Sequence, residues 1–292
     1  MSRERHLITE SRGDYELLDS GENMKLERFG AVVVARPETQ ALWKKAHPER
    51  WNEASAIFRF RDKQGGWEVV RPLPEPWEWS GEGVRARLRL TGFKHTGIFP
   101  EQTPNWEWSK ERIDAFTRTH GRAPNVLNLF AYTGIASIVA AGAGAAVTHV
   151  DASKQSLDWA HENARLSGIP EDGIRWMLDD AAAFAKREAR RGNRYDGIIL
   201  DPPAFGRGAK GEVWKIEESL PALLETLAEL FSGEPGSFFL ANGYAAGYAP
   251  ASFLQAAESA FGDIDAEYGE LHIKESGSER VVPAGMYVRF TR

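Results

Sequence analysis

Residues 126–153 read VLNLFAYTGIASIVAAGAGAAVTHVDAS, and this stretch decides the fold. An apolar run, VLNLF, leads through a turn into small residues that predict a helix over 133–143. A second apolar run, AVTHV, follows at 146–150. Short continuous apolar runs separated by a helix are the pattern of parallel strands buried on both faces. The pattern carries on toward the C-terminus. A helix is expected over 153–167, where Leu157, Ala160 and Ala164 share one face and Gly168 ends it. Strands at 173–178, 195–200 and 237–241 alternate with helices at 181–191, 221–231 and 252–261, with Pro221 at the first position of its helix. Two closing strands, 268–276 and 285–291, suggest an antiparallel edge. The result is an α/β chain with helices on both faces of a mostly parallel sheet.

Upstream the texture changes. Short strand-like runs stand at 14–20, 25–30, 31–37, 56–60, 66–70, 77–80 and 84–90, punctuated by Gly65-Gly66 and the Pro-rich PLPEP. Residues 39–51 suggest a short helix. Residues 1–100 therefore read as a small antiparallel β domain, a candidate for substrate recognition. Residues 101–292 read as the sheet domain, with a helix over 104–120 leading into it.

Composition narrows the chemistry. The 292 residues include no cysteine, which excludes disulfides, thiolate metal sites and a cysteine nucleophile. The seven histidines show no metal-ligand spacing, so no metal is expected. There are 36 basic and 42 acidic side chains, a net charge of −6, which argues against a bulk coat of nucleic acid but allows local basic patches. No apolar run is long enough to cross a membrane, and the N-terminus lacks the apolar core of a signal peptide, so a cytoplasmic protein is expected.

In an open parallel sheet, ligands bind beyond the carboxyl ends of the strands. The first such turn, Asn128-Leu129-Phe130-Ala131-Tyr132-Thr133-Gly134, has one glycine and is not the GxGxxG of dinucleotide enzymes. Its helix start suits a small carboxylate. Asp151, in Asp151-Ala152-Ser153, stands one strand further on and suits a ribose diol. Asp180, or less readily Asp179, ends the third strand before Ala181 and suits an exocyclic amine. Together these fit an adenosine bearing an amino-acid tail, as in S-adenosyl-L-methionine. After the fourth strand comes Asp201-Pro202-Pro203-Ala204-Phe205. Two prolines stiffen the turn and remove two backbone donors. The Asp201 carboxylate and the proline carbonyls are then acceptors for an amino or ring nitrogen, and Phe205 suits stacking on a planar base. Arg207, Lys210 and Lys215 in the loop that follows are candidates for phosphate contact.

Four motifs carry a resemblance: His95-Thr96-Gly97-Ile98-Phe99-Pro100-Glu101-Gln102, Leu129-Phe130-Ala131-Tyr132-Thr133-Gly134, Val150-Asp151-Ala152-Ser153, and Asp201-Pro202-Pro203-Ala204-Phe205. The chain resembles the class I S-adenosylmethionine-dependent methyltransferases, in particular the group that modifies cytosine C5 or guanine N7 of large-subunit ribosomal RNA. The resemblance implies a Rossmann-like seven-stranded sheet preceded by a small β domain. It implies cofactor contacts at Thr96, Gly97, Phe99 and Gln102, and at Asn128, Phe130, Ala131, Tyr132, Gly134, Asp151, Ala152, Ser153, Asp180 and Ala181. It places Asp201, Pro202, Pro203 and Phe205 at the reacting base. Two departures stand out. Asn128 occupies a position usually held by Asp, and Leu240-Ala241-Asn242-Gly243-Tyr244 lacks the cysteine that cytosine-C5 enzymes need. Methylation of a base nitrogen in RNA, ribosomal RNA foremost, is the resulting expectation. The rivals are a methyltransferase acting on a protein amide or small molecule, and a cofactor-binding RNA-interaction protein without catalysis.

Overall fold

The computed structural model describes every residue except 1, 62–63, 208–212 and 245–246. The chain forms two compact units. One comprises Met1–Leu7, Pro104–Glu270 and Gly285–Arg292; the other comprises Ile8–Thr103 and Leu271–Ala284.

The first unit is built on a mixed sheet. Its main strands are β1 (Asn125–Leu129), β2 (Ala146–Asp151), β3 (Ile174–Leu178), β4 (Gly197–Leu200), β5 (Phe238–Gly243), β6 (Ala266–Lys274) and β7 (Val281–Thr291). They lie in the order β6-β7-β5-β4-β1-β2-β3. β1 to β5 run parallel, and β7 is antiparallel to β5. The expected architecture is present, and two short N-terminal strands, Arg3–Glu4 and Leu7–Thr9, add to it by pairing with β6. The helices are α1 (Thr103–His120), α2 (Ile135–Gly142), α3 (Lys154–Leu166), α4 (Ala181–Arg190), α5 (Ile216–Leu230) and α6 (Pro250–Phe261). All four residues of β4 are buried, as the apolar run required. The α4–α5–α6 face closes over Phe184, Leu223, Leu227, Phe239 and Phe253. No helix among the described residues is long and apolar enough to cross a membrane.

Register places the site. Leu129 pairs with Val150 and with Leu200, and Asp151 pairs with Leu178. The strands therefore end level, and the residues that follow them meet at one edge.

Three expectations need correction. Pro221 does not start its helix; it lies inside α5. Proline in a helix interior costs about 3 kcal/mol. Burying Ile216 and Leu220 one turn earlier gains about 1.5–3 kcal/mol each, which offsets that loss. Residues 39–51 form no α-helix, only a 3-10 segment at Pro48–Glu53. The carbonyls of Ala41 and Trp43 already accept from the N–H groups of Asn23 (2.9 Å) and Glu22 (2.7 Å), so they are taken from any helix. Finally, the division after residue 100 fails at both ends of the chain. Arg3 and Glu4 pair with Glu267 and Tyr268 in the sheet unit. Residues 271–284 join the other unit, where Glu275 bonds Ser20 and Arg280 pairs with Asp19 at 2.8 Å.

The second unit carries a five-stranded sheet, Tyr15–Gly21, Met24–Phe29, Val32–Pro37, Ala56–Arg61 and Gln64–Val69, with one parallel pairing between the third and fourth. Glu27 is fully buried in it, held by Arg36 (3.0 Å) and the Tyr15 hydroxyl (2.8 Å). A separate hairpin, Glu78–Gly81 with Val84–Arg87, brings Glu78 to Arg85 and Arg87, with which it pairs.

In the sheet unit, α4 is fixed by Glu188, which is fully buried. Its carboxylate accepts from Asn193 (2.7 Å), Tyr195 (2.8 Å) and Arg191 (2.8 Å). Burial pushes this carboxyl up, but the bonds from Asn193, Tyr195 and Arg191 outweigh burial and hold it below its ordinary value. Its stabilising effect is thus complete above the ordinary glutamate range and fades as pH falls through the lower, folded-state pKa. Glu188→Gln should lose about 2–3 kcal/mol at neutral pH, and the deficit relative to wild type should shrink toward pH 3. Urea midpoints measured between pH 3 and 7 test this; a constant deficit would show that the charge is immaterial.

Candidate active site at the carboxyl edge of the sheet

The turn after β1 is unusually constrained. Phe130 (φ 55°), Tyr132 (φ 48°) and Gly134 (φ 84°) are all left-handed, and two of them are not glycine. Each such non-glycine residue costs on the order of 1–3 kcal/mol. The surroundings hold the turn in place. Ala131 N–H donates to Val150 (3.1 Å), Gly134 N–H to Ala131 (3.0 Å), and the Asn163 side chain to the Thr133 carbonyl (2.9 Å). Tyr132 N–H donates to the Asp151 carboxylate at 2.8 Å. Gly134 starts α2 with no side-chain cap, which leaves the first N–H groups of the helix available to an external anion. Beneath the turn, Asn128 is buried and donates to Ser137.

Asp151 ends β2. Its second carboxylate oxygen accepts from Ser153 N–H at 2.8 Å, and Ser153 itself caps α3. Burial pushes the Asp151 carboxyl up, only partly countered by the Ser153 and Tyr132 N–H donors. Each oxygen retains lone-pair capacity for a hydroxyl donor. Ala152 beside it is half-buried. Asp180 caps α4 through Ala183 N–H (2.8 Å), and Ala181 is buried at the first helical position. Asp179 is engaged by Arg187. Leu178, at the end of β3, is 47% exposed, an apolar surface at this edge that the sequence reading did not single out.

The Asp201-Pro202-Pro203-Ala204-Phe205 turn leaves β4 next to β1, with Asp201 N–H 3.4 Å from the Leu129 carbonyl. Pro202 is buried, Pro203 exposed, and Phe205 56% exposed. The expectation that both proline carbonyls face a substrate is corrected here. The Pro203 carbonyl accepts from the Trp214 indole at 2.7 Å, and the Ala204 carbonyl accepts from Ile216 N–H at 3.1 Å. Trp214 lies on a short strand, Val213–Lys215, paired with Phe205–Arg207. Its ring packs on Phe130, 4.8 Å between centroids. A lone tryptophan in a Gly- and Lys-rich loop was the available signal, and it was missed. Of the basic loop residues, Lys215 pairs with Glu218 at 2.7 Å, whereas Lys210 and the Arg207 side chain lie outside the described residues.

The structure thus brings Asn128, Phe130, Ala131, Tyr132, Gly134, Asp151, Ala152, Ser153, Asp180, Ala181 and the Asp201 turn to one edge of one unit. Thr96, Gly97, Phe99 and Gln102 belong to the other unit. There, Thr96 is buried and Gly97 is left-handed (φ 114°). Phe99 packs on His95 (5.1 Å), and Gln102 closes the 3-10 turn Pro100–Gln102.

The donor set at the edge fits S-adenosyl-L-methionine. An uncapped helix terminus suits its carboxylate, the Asn128 amide oxygen its ammonium, the Asp151 carboxylate its diol, and Leu178 the face of its adenine.

Comparison with known proteins agrees. A family model described as S-adenosylmethionine-dependent methyltransferase matches residues 43–259, and the chain belongs to that family. A crystal structure of the SAM-dependent methyltransferase from Agrobacterium tumefaciens is similar over 100% of this chain and 97% of its own, at 40% identity and a TM-score of 0.91. The ribosomal RNA large subunit methyltransferase K/L of Shewanella frigidimarina is 32% identical over 210 residues, 70% of this chain and 27% of that protein. The Pseudomonas putida protein of the same name is 35% identical over 194 residues, 64% of this chain and 25% of its own. The chain therefore spans about a quarter of the length of these curated relatives.

Gly134 offers a direct test of the turn. A Cβ there would lie 2.9 Å from the Ala160 Cβ, whereas at Gly168, also left-handed (φ 74°), it would meet nothing within 4 Å. Gly134→Ala should therefore destabilise by about 1–2 kcal/mol more than Gly168→Ala. Equal thermal unfolding losses for the two variants would mean that α3 yields freely.

Proposed function

We propose that the protein methylates a nitrogen of a base in RNA, ribosomal RNA foremost, and works in the cytoplasm. The observation that carries this reading is the Asp201-Pro202-Pro203-Ala204-Phe205 turn, pinned by Trp214 beside the β1–α2 turn and presenting an exposed Phe205. The names of the K/L relatives support ribosomal RNA as the substrate class. The absence of cysteine from the sequence supports nitrogen over pyrimidine C5, because C5 attack needs a covalent partner.

S-adenosyl-L-methionine, when bound, supplies an activated methyl on a sulfonium that is already a good leaving group. Little acid–base chemistry is then required of the chain, and alignment dominates. Asp151 holds the diol and Asp180 the adenine edge. The α2 terminus and Asn128 hold the amino-acid end. Asp201 and the Pro202 carbonyl accept from the substrate N–H and turn the nitrogen lone pair toward the methyl. Phe205 stacks on the ring, and Tyr244, also exposed just beyond β5, adds a second flat surface at the same edge.

Three variants distinguish these roles. Asp151→Asn should weaken cofactor binding roughly 10–150-fold by calorimetry; Asn is chosen because it keeps one acceptor for the turn. Asp201→Ala should lower turnover far more than cofactor affinity, since its bond matters most as the nitrogen attacks. Phe205→Ala should cost about 1–3 kcal/mol, seen in the RNA KM. The decisive measurement is mass analysis of nucleosides from ribosomal RNA treated with the pure enzyme. A methyl on a ring or exocyclic nitrogen is expected. A 5-methylpyrimidine product, or modification of protein alone, would overturn the proposal.

A further inference from the structure

The side chain of Asn128 donates through Nδ2 to Ser137 Oγ at 2.8 Å, and Ser137 Oγ lies 3.0 Å from His149 Nδ1. Asn128, Ser137 and His149 are 2%, 0% and 0% exposed. They come from three elements, β1, α2 and β2, that converge under the cofactor turn. An amide has two ends of nearly equal shape, so only its neighbours decide which end faces outward.

We propose that Ser137 and His149 are positioning residues that fix the Asn128 amide with its oxygen outward, making it a neutral acceptor for the ammonium of S-adenosyl-L-methionine. This rests on the reading of the edge as the cofactor site.

The direction of the chain follows from counting hydrogens. Ser137 has one. If the Asn128 N–H donates to it, Ser137 donates onward to His149 Nδ1, and the imidazole proton sits on Nε2. If the amide were reversed, Ser137 would donate to the amide oxygen, His149 Nδ1–H would donate to Ser137, and Nε2 would be a buried bare lone pair. His149 Nε2 has no hydrogen-bond partner among the described residues. The ring instead packs against Trp176 at 4.8 Å, tilted by 56°. In the structure the Asn128 amide donates through Nδ2, so the first arrangement is the one present. Burial, with His161 nearby, pushes the imidazole down to about 3, so the ring is neutral and carries a single N–H. With its Nδ2 spent inward, Asn128 has its oxygen left, and that oxygen takes no hydrogen bond from another described residue. A neutral acceptor suffices for this ligand, because the cofactor's own carboxylate already balances its ammonium at the α2 terminus.

The test is a double-mutant cycle on binding of S-adenosyl-L-homocysteine to the full chain, read by calorimetry without turnover. Ser137→Ala should weaken binding about 5–10-fold, and Ser137→Thr, which keeps the hydroxyl, should restore most of it. In an Asn128→Ala background, Ser137→Ala should cause no further loss, because the residue it positions is gone. An equal loss in both backgrounds would show a merely structural effect and overturn the proposal; so would undiminished binding by Ser137→Ala. A second measurement needs no variant. Nitrogen-15 shifts of His149 should show Nδ1 unprotonated and Nε2 protonated at neutral pH, and the opposite tautomer would overturn the proposal. Wild-type protein that fails to bind the ligand at all would instead refute the reading of the site itself.

Discussion

Asp151 is the residue through which the edge of the sheet is tied together. Its two carboxylate oxygens accept from Tyr132 and Ser153, which lie in the turns after β1 and β2. Its backbone carbonyl accepts from Asp179, in the turn after β3, at 3.0 Å. One residue thus sets three turns relative to one another. The bond from Tyr132 N–H helps to hold a left-handed non-glycine backbone in place. The carboxylate is also kept partly dehydrated, and a dehydrated acceptor bonds an incoming hydroxyl more strongly than a hydrated one. The atoms that tie the turns together are thus the ones proposed to bind the diol.

The other half of the edge is tied through Trp214. Its indole N–H fixes the Pro203 carbonyl, and its ring covers Phe130. A movement of the Asp201 turn would have to drag the ring across Phe130, whose own conformation is strained. The turn assigned to the nucleophile and the turn assigned to the cofactor are mechanically one body. That matters for methyl transfer, where alignment supplies most of the effect. It also changes the role of the two prolines. The second one fastens the turn through its carbonyl, and the acceptors proposed to face the substrate reduce to Asp201 and Pro202.

Much of this was legible in the sequence. The strands β1 to β5 declare themselves as apolar runs because parallel strands buried on both faces leave no polar alternation to confuse the reading. The acids at strand ends are legible for the same reason, since each follows an unmistakable run. What was illegible depends on partners distant in sequence. Residues 39–51 look helical until Glu22 and Asn23 claim their carbonyls. The hairpin tip at 271–284 looks like part of the sheet until Ser20 and Asp19 bind Glu275 and Arg280. Trp214 acquires meaning only when its loop folds back on Pro203. In each case the deciding contact lies well outside the window in which periodicity is read.

Asn128 shows why residue identity alone misleads at such a site. Read along the chain, it is a lost charge relative to the usual Asp. In the fold it belongs to a buried polar chain ending on a neutral histidine, where a carboxylate would carry an unscreened negative charge into the core. A buried charge without a cationic partner is strongly disfavoured, whereas a bonded amide is not. The neutral residue and the neutral histidine therefore belong together: with His149 unable to take a second proton, the acceptor proposed for a zwitterion relies on polarity and orientation rather than charge.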